Sequence, residues 1–192
     1  NDKPVAGRVE GLLGAGLVLQ VNGAHDTPIS ATGDFQVLTG LRSGDAWTVT
    51  VLAQPTAPWQ ACQVTAGGSG VMGATGAAGV VVTCTTSAFA VGGTASGVLA
   101  PGLSLALTVA GVKGAAQPVG AGPFTLDGAV PSGAAWLVTV ESHPARQACT
   151  VTDGGGVMAG GDVTGVAVAC ACAAPWEDCN GLPGDGCETD LG

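Results

Sequence analysis

SGDAWTVTV (Ser43 to Val51) and SGAAWLVTV (Ser132 to Val140) are two copies of one stretch, and their reading decides the fold. Trp47, Val49 and Val51 fall on alternate residues in the first copy, as Trp136, Val138 and Val140 do in the second. Alternation puts each trio on one face of an extended strand, leaving Thr48 and Thr50, or Leu137 and Thr139, on the other. Each copy therefore predicts a central strand of a small β-sandwich, with its tryptophan in the core.

The duplication extends outward from these strands. Gly11 matches Gly97, Leu17 matches Leu103, Phe35 matches Phe124, Pro55 matches Pro144, Cys62 matches Cys149, Met72 matches Met158 and Cys84 matches Cys170, at an offset that stays between 86 and 89 residues. Two units follow, residues 1–86 and 87–171, with a compositionally different tail over 172–192. Within a unit, apolar alternation recurs at Leu17–Val21, Phe35–Val37, the Trp strand, Cys62–Val64 and Val80–Cys84. Adding the opening segment and the run near Ile29 gives about seven strands per unit, the density of a sandwich. The two methionines read as core fillers.

Composition agrees. Of 192 residues 34 are Gly, Tyr is absent, and no stretch carries the 3.6-residue apolar period of a helix, so the class is all-β. Five Lys and Arg stand against 14 Asp and Glu, for a net charge of −9. That balance argues against nucleic acid, whose phosphates need clustered cations, and against anionic membrane surfaces. No run of eighteen apolar residues predicts a membrane span, and the chain starts at Asn1 rather than Met, so a processed N-terminus is expected.

Cys62 and Cys84 share parity with the core valines of their strands, as do Cys149 and Cys170, so each pair should meet inside its unit as a disulfide. Such bridges imply an oxidising compartment. Closing loops of this length contributes about 3 kcal/mol on the loop-entropy model, large for domains of this size.

The pattern G-x-x-x-G…L-x-L…G-x-F…L-x-x-G-x-x-W-x-V-T-V, present over Val5–Val51 and Val91–Val140, resembles bacterial extracellular immunoglobulin-like or transthyretin-like sandwich repeats. The closing QAC-x-V-T…V-x-V-x-C resembles a repeat of myxobacterial surface proteins, and DCNGLPGDGCETDL (Asp178 to Leu191) a short Cys-rich motif of the same proteins. The resemblance implies a secreted or outer-surface scaffold and no catalytic residue. In such relatives the Cys-rich motif continues with further cysteines, which implies that a partner for Cys172, or for another tail cysteine, lies in neighbouring sequence.

Candidate sites are few. In the tail, Asp178, Asn180, Asp185, Glu188 and Asp190 offer hard oxygen ligands for Ca²⁺ among glycines that permit a tight loop, although EF-hand spacing is absent. The competing reading is an acidic turn stapled by Cys179 and Cys187, with no cofactor. Trp59, in the loop insertion TAPWQ, and Trp176, after Pro175, are candidate stacking residues for a sugar or a protein partner; otherwise each covers the end of its own sandwich. GLLGAG (Gly11 to Gly16) precedes a strand rather than a helix and so does not cradle phosphate. His25 and His143 lack a nucleophile at a recognisable spacing, so no enzyme is expected.

The expectation is a non-enzymatic extracellular or cell-surface protein acting as spacer, adhesion module or subunit of an assembly. It would partner itself, other surface proteins or glycans, without nucleic acid and without inserting into a membrane. The alternative is a glycan- or protein-binding module working through Trp59 or Trp176, with Ca²⁺ in the tail.

Overall fold

A computed structural model of the chain describes residues 3–177 and 187, and the backbone of 189 and 190. The chain forms two compact units, Asn1–Ser87 and Ala88–Gly192.

The first unit runs β1 (Pro4–Glu10), β2 (Leu17–Val21), β3 (His25–Ile29), β4 (Gly33–Leu38), β5 (Ala46–Ala53), β6 (Gln60–Ala66), β7 (Ser69–Val71) and β8 (Ala77–Thr86). These strands build two four-stranded sheets, β4-β1-β8-β6 and β3-β2-β5-β7. Every pairing is antiparallel except that of β1 with β8. The core lies between the sheets. Val5, Val9, Leu17, Leu19, Val21, Val80 and Val82 are fully buried, and Trp47 and Val49 lie among them at 6% and 4% exposure. The alternation of the opening stretch is thus the inward and outward alternation of β5, with Thr48 and Thr50 facing out.

The second unit repeats the plan with β9 (Ala88–Ser96), β10 (Ser104–Val109), β11 (Val112–Lys113), β12 (Gln117–Pro118), β13 (Gly122–Pro131), β14 (Ala135–Ser142), β15 (Gln147–Thr152), β16 (Gly155–Val157) and β17 (Val163–Cys172). Its sheets are β13-β9-β17-β15 and β11-β10-β14-β16, with β12 also on β10. The strand that is continuous as β3 in the first unit is here two short pieces, and β9 and β17 form the parallel pair. Met72 and Met158 are both 2% exposed and pack in their cores.

Against the seven or so expected, the first unit holds eight strands and the second nine, because β11 and β12 split what is one strand in the first. The strands not foreseen in both units are the three-residue edges β7 and β16. Ser-Gly-Val and Gly-Gly-Val have too few side chains to show a period. The glycines have a purpose: a Cβ on Gly70 would stand 3.2 Å from the Trp47 ring, and one on Gly156 3.7 Å from Trp136. The bare edge strand lets each indole lie close beneath it.

Both sandwich bridges form, Cys62–Cys84 at an S–S distance of 2.02 Å and Cys149–Cys170 at 1.98 Å. In each the cysteines sit directly opposite on neighbouring strands, β6 with β8 and β15 with β17.

The tail corrects one expectation. Cys187 bonds Cys172, at 1.99 Å, rather than Cys179, and Cys172 thus finds its partner within this chain. The reason is the length of β17, which carries Cys172 two residues past Cys170 to the end of the sheet, opposite Gln147. Cys179 lies outside the described residues. Beyond the bridge, β18 (Trp176–Glu177) and β19 (Thr189–Asp190) pair as a small ribbon.

Candidate functional site

The most elaborate local structure is the corner where β6 or β15 begins and the last strand ends. In both units a buried glutamine organises it. Gln60 (3% exposed) accepts from the backbone N–H of Leu13 (2.7 Å) and Gly14 (2.8 Å) through Oε1, and donates from Nε2 to the Gly11 carbonyl (2.8 Å) and to Thr86 Oγ1 (3.4 Å). Gln147 (5% exposed) accepts from Leu99 N–H (3.0 Å) and donates to the Gly97 carbonyl (2.7 Å). Each glutamine therefore fastens the loop that leaves the unit's first strand. Sequence reading left both residues inside a motif without assigning them this part.

The residue before each glutamine also has an equivalent position. The Trp59 carbonyl accepts from Ser87 N–H (3.0 Å), as the Arg146 carbonyl does from Ala173 N–H (2.8 Å). Trp59 is 44% exposed at this corner of the first unit. In the second unit Arg146 takes the place, its guanidinium carbon 3.7 Å from the centroid of the half-buried Trp176 ring and one guanidinium N–H donating to the Cys187 carbonyl (3.2 Å). The two tryptophans singled out from sequence thus sit differently: Trp59 presents part of its surface to solvent, and Trp176 is stacked on an arginine. They belong to different units and are not parts of one described site.

His143 is part of the framework as well. Its Nδ1 accepts from Cys149 N–H (3.0 Å), while in the first unit Gln54 does this for Cys62, accepting its N–H (2.7 Å) and donating to its carbonyl (3.0 Å). Both precede the matched prolines, so different residue types perform one function at one position.

Charged groups are dispersed. Lys113 Nζ meets Glu141 Oε2 at 2.6 Å and Thr139 donates to Oε1 at 2.7 Å. These hydrogen bonds, Lys113's foremost, hold the Glu141 carboxyl below its ordinary range. A carboxyl lowered in the folded state adds stability above its unfolded pKa and loses it as pH falls through the folded value, so this pair favours the fold at neutral pH. Among the described residues no three His, Cys, Asp or Glu side chains converge as a metal site. Asp178, Asn180, Asp185 and Glu188 lie outside the described residues, and Asp190 is placed only by its backbone opposite Trp176.

No protein-family model matches the chain, and no curated protein matches its sequence. Among solved structures the chain is similar to the shaft pilin spaA of Lactobacillus rhamnosus GG, at 9% identity and a TM-score of 0.32, covering 90% of this chain and 100% of that one. It is also similar to a major pilin protein of Streptococcus pyogenes, at 10% identity and a TM-score of 0.32, covering 92% of this chain and 98% of that one. Likenesses this loose carry no argument about activity.

Proposed function

We propose that the chain is a non-enzymatic structural component of an extracellular surface, a spacer or subunit that associates through its sheet edges. One observation carries this reading. The edge strands β7 and β16 end in Val71 and Val157, which occupy matching positions and are 68% and 67% exposed. Neither strand carries the lysine, proline or inward charge with which edges are ordinarily blunted. An uncharged edge can be completed by an extended segment of a neighbouring molecule through main-chain hydrogen bonds. Two bridges inside the sandwiches and a third in the tail support an oxidising, extracellular setting.

The chain should self-associate into regular polymers as pH falls toward its pI of about 4.2, where protonated carboxylates no longer repel. Sedimentation and negative-stain microscopy read this, and Val71→Lys combined with Val157→Lys should keep the protein monomeric. Wild-type protein that remains a monodisperse monomer at high concentration would overturn the reading. A second reading is favoured by the exposure of Trp59, whose place in the second unit is taken by Arg146: a stacking site for a glycan or protein. On a glycan array Trp59→Ala would then lose retention while leaving polymer formation intact.

Calcium in the acidic tail is a separate proposal resting on composition alone. Its test is thermal melting with and without a chelator. A bound ion requires a lower midpoint in the chelator, because a ligand held only by the folded state stabilises it.

A further inference from the structure

The corner of the second unit departs from the duplicated plan at two adjacent places. Where the first unit has Trp59 the second has Arg146, and where the first has Thr86, beside Gln60, the second has Cys172, opposite Gln147. The first unit closes without either residue, so the sandwich does not require them. Both contact the tail instead: Cys172 through its bridge to Cys187, Arg146 through the Trp176 ring and the Cys187 carbonyl.

We propose that Cys172–Cys187 is a redox-releasable clasp, opened by an external dithiol while the sandwich bridges stay closed, and that its state decides whether the tail is held on the second unit. Access sets the order of reduction. Cys62, Cys84, Cys149, Cys170 and Cys187 are 1%, 6%, 7%, 9% and 2% exposed, whereas Cys172 is half-buried at the end of β17. A thiolate of the dithiol attacks Cys172 Sγ, the S–S bond breaks, and its electron pair leaves on Cys187. The second thiol of the reductant then displaces Cys172, closing the cyclic disulfide of the reductant. The bridge gains two electrons and two protons.

Arg146 favours this bond's opening over the others. Its guanidinium donates to the main-chain carbonyl of Cys187, which places a cation beside the residue whose sulfur departs, and a neighbouring cation makes a thiolate a better leaving group. Once the bond is open, the tail retains, among the described residues, the Arg146–Trp176 cation–π contact, the Arg146 hydrogen bond to the Cys187 carbonyl, the Ala173 N–H bond to the Arg146 carbonyl and a ribbon of two-residue strands. A ribbon of that size does not hold by itself in water.

The test uses the full chain. Free thiols are first blocked with N-ethylmaleimide, dithiothreitol is added, and aliquots are quenched with iodoacetamide for peptide mapping, with chymotryptic cleavage after Trp176 followed in parallel. Cys172 and Cys187 should be labelled at least about tenfold faster than the other four bonded cysteines, and cleavage at Trp176 should rise in step. Cys172→Ser with Cys187→Ser should be cleaved there without reductant. Arg146→Gln should slow the opening of the bond several-fold and speed cleavage once it is open. Simultaneous reduction of all three bridges, cleavage indifferent to the state of the bond, or faster opening in Arg146→Gln would each overturn the proposal.

Discussion

Gly93→Ala is expected to unfold the second sandwich at temperatures where the wild type is folded. Gly93 is buried on β9 and pairs in register with Val166 of β17, the parallel contact between the first and last long strands of the unit. A Cβ built there overlaps the Val166 carbonyl oxygen and stands 2.5 Å from its carbon and 2.8 Å from its Cα. These are backbone atoms of a central strand, held by β15 on the far side, so no rotamer change relieves the clash. Overpacking ordinarily costs about 1–3 kcal/mol, and a collision with immobile backbone belongs above that range, at about 4 kcal/mol or more. That is most of what a sandwich of this size has. Circular dichroism should show the loss, and limited proteolysis should cut within 88–171. Gly7→Ala, whose Cβ overlaps the Val80 carbonyl, should do the same to the first unit. Gly111→Ala is the control: with φ +81° and open space around its Cβ, it adds only left-handed strain of about 1–2 kcal/mol. A Gly93→Ala protein that melts like the wild type would refute the account of the parallel crossing.

Much of the frame was legible because strands announce themselves through burial. Trp47 and Trp136, and the four sandwich cysteines, could be placed inside from parity alone, since a period of two leaves each side chain only two directions. The edges β7 and β16 were not legible, because glycine has no side chain to carry a period. Nor was the shared part of Gln54 and His143, since unlike residues that supply one acceptor share no signature. The bridge of Cys172 was missed for a different reason. Lying two residues past Cys170, it keeps the parity of a framework residue, yet its neighbours Ala173, Ala174 and Pro175 read as the start of a new segment. The metal candidates of the tail fall on residues whose side chains the structure does not describe. For the two glutamines a signal did exist. Each stands two residues before its cysteine and so faces inward with it, and a polar side chain buried in a core must be hydrogen-bonded. Parity applied to polar residues, and not only to apolar ones, would have found the corner.

That corner yields the second prediction, Gln60→Ala, with an expected loss of about 3 kcal/mol. The substitution leaves the N–H groups of Leu13 and Gly14 and the Gly11 carbonyl without the partners they now have. A buried polar group deprived of its partner costs about 1–3 kcal/mol. Three are affected here, one on buried Gly14 and two on exposed Leu13 and Gly11, where water offsets part of the sum. For a domain of this size the midpoint falls by about 4–8 °C per kcal/mol, so calorimetry should record a drop of roughly 12–24 °C. Gln147→Ala removes only the bonds to Leu99 and Gly97 and should cost less, about 2 kcal/mol. Gln60→Glu keeps the acceptor for both N–H groups but loses the donor, and sets a carboxylate oxygen against the Gly11 carbonyl, so it should be no better than alanine. Gln60→Met separates the causes. It fills the same volume with no polar atom, and if satisfaction of the loop backbone is what matters it should melt with the alanine variant; wild-type melting in the methionine variant would reduce the clamp to packing.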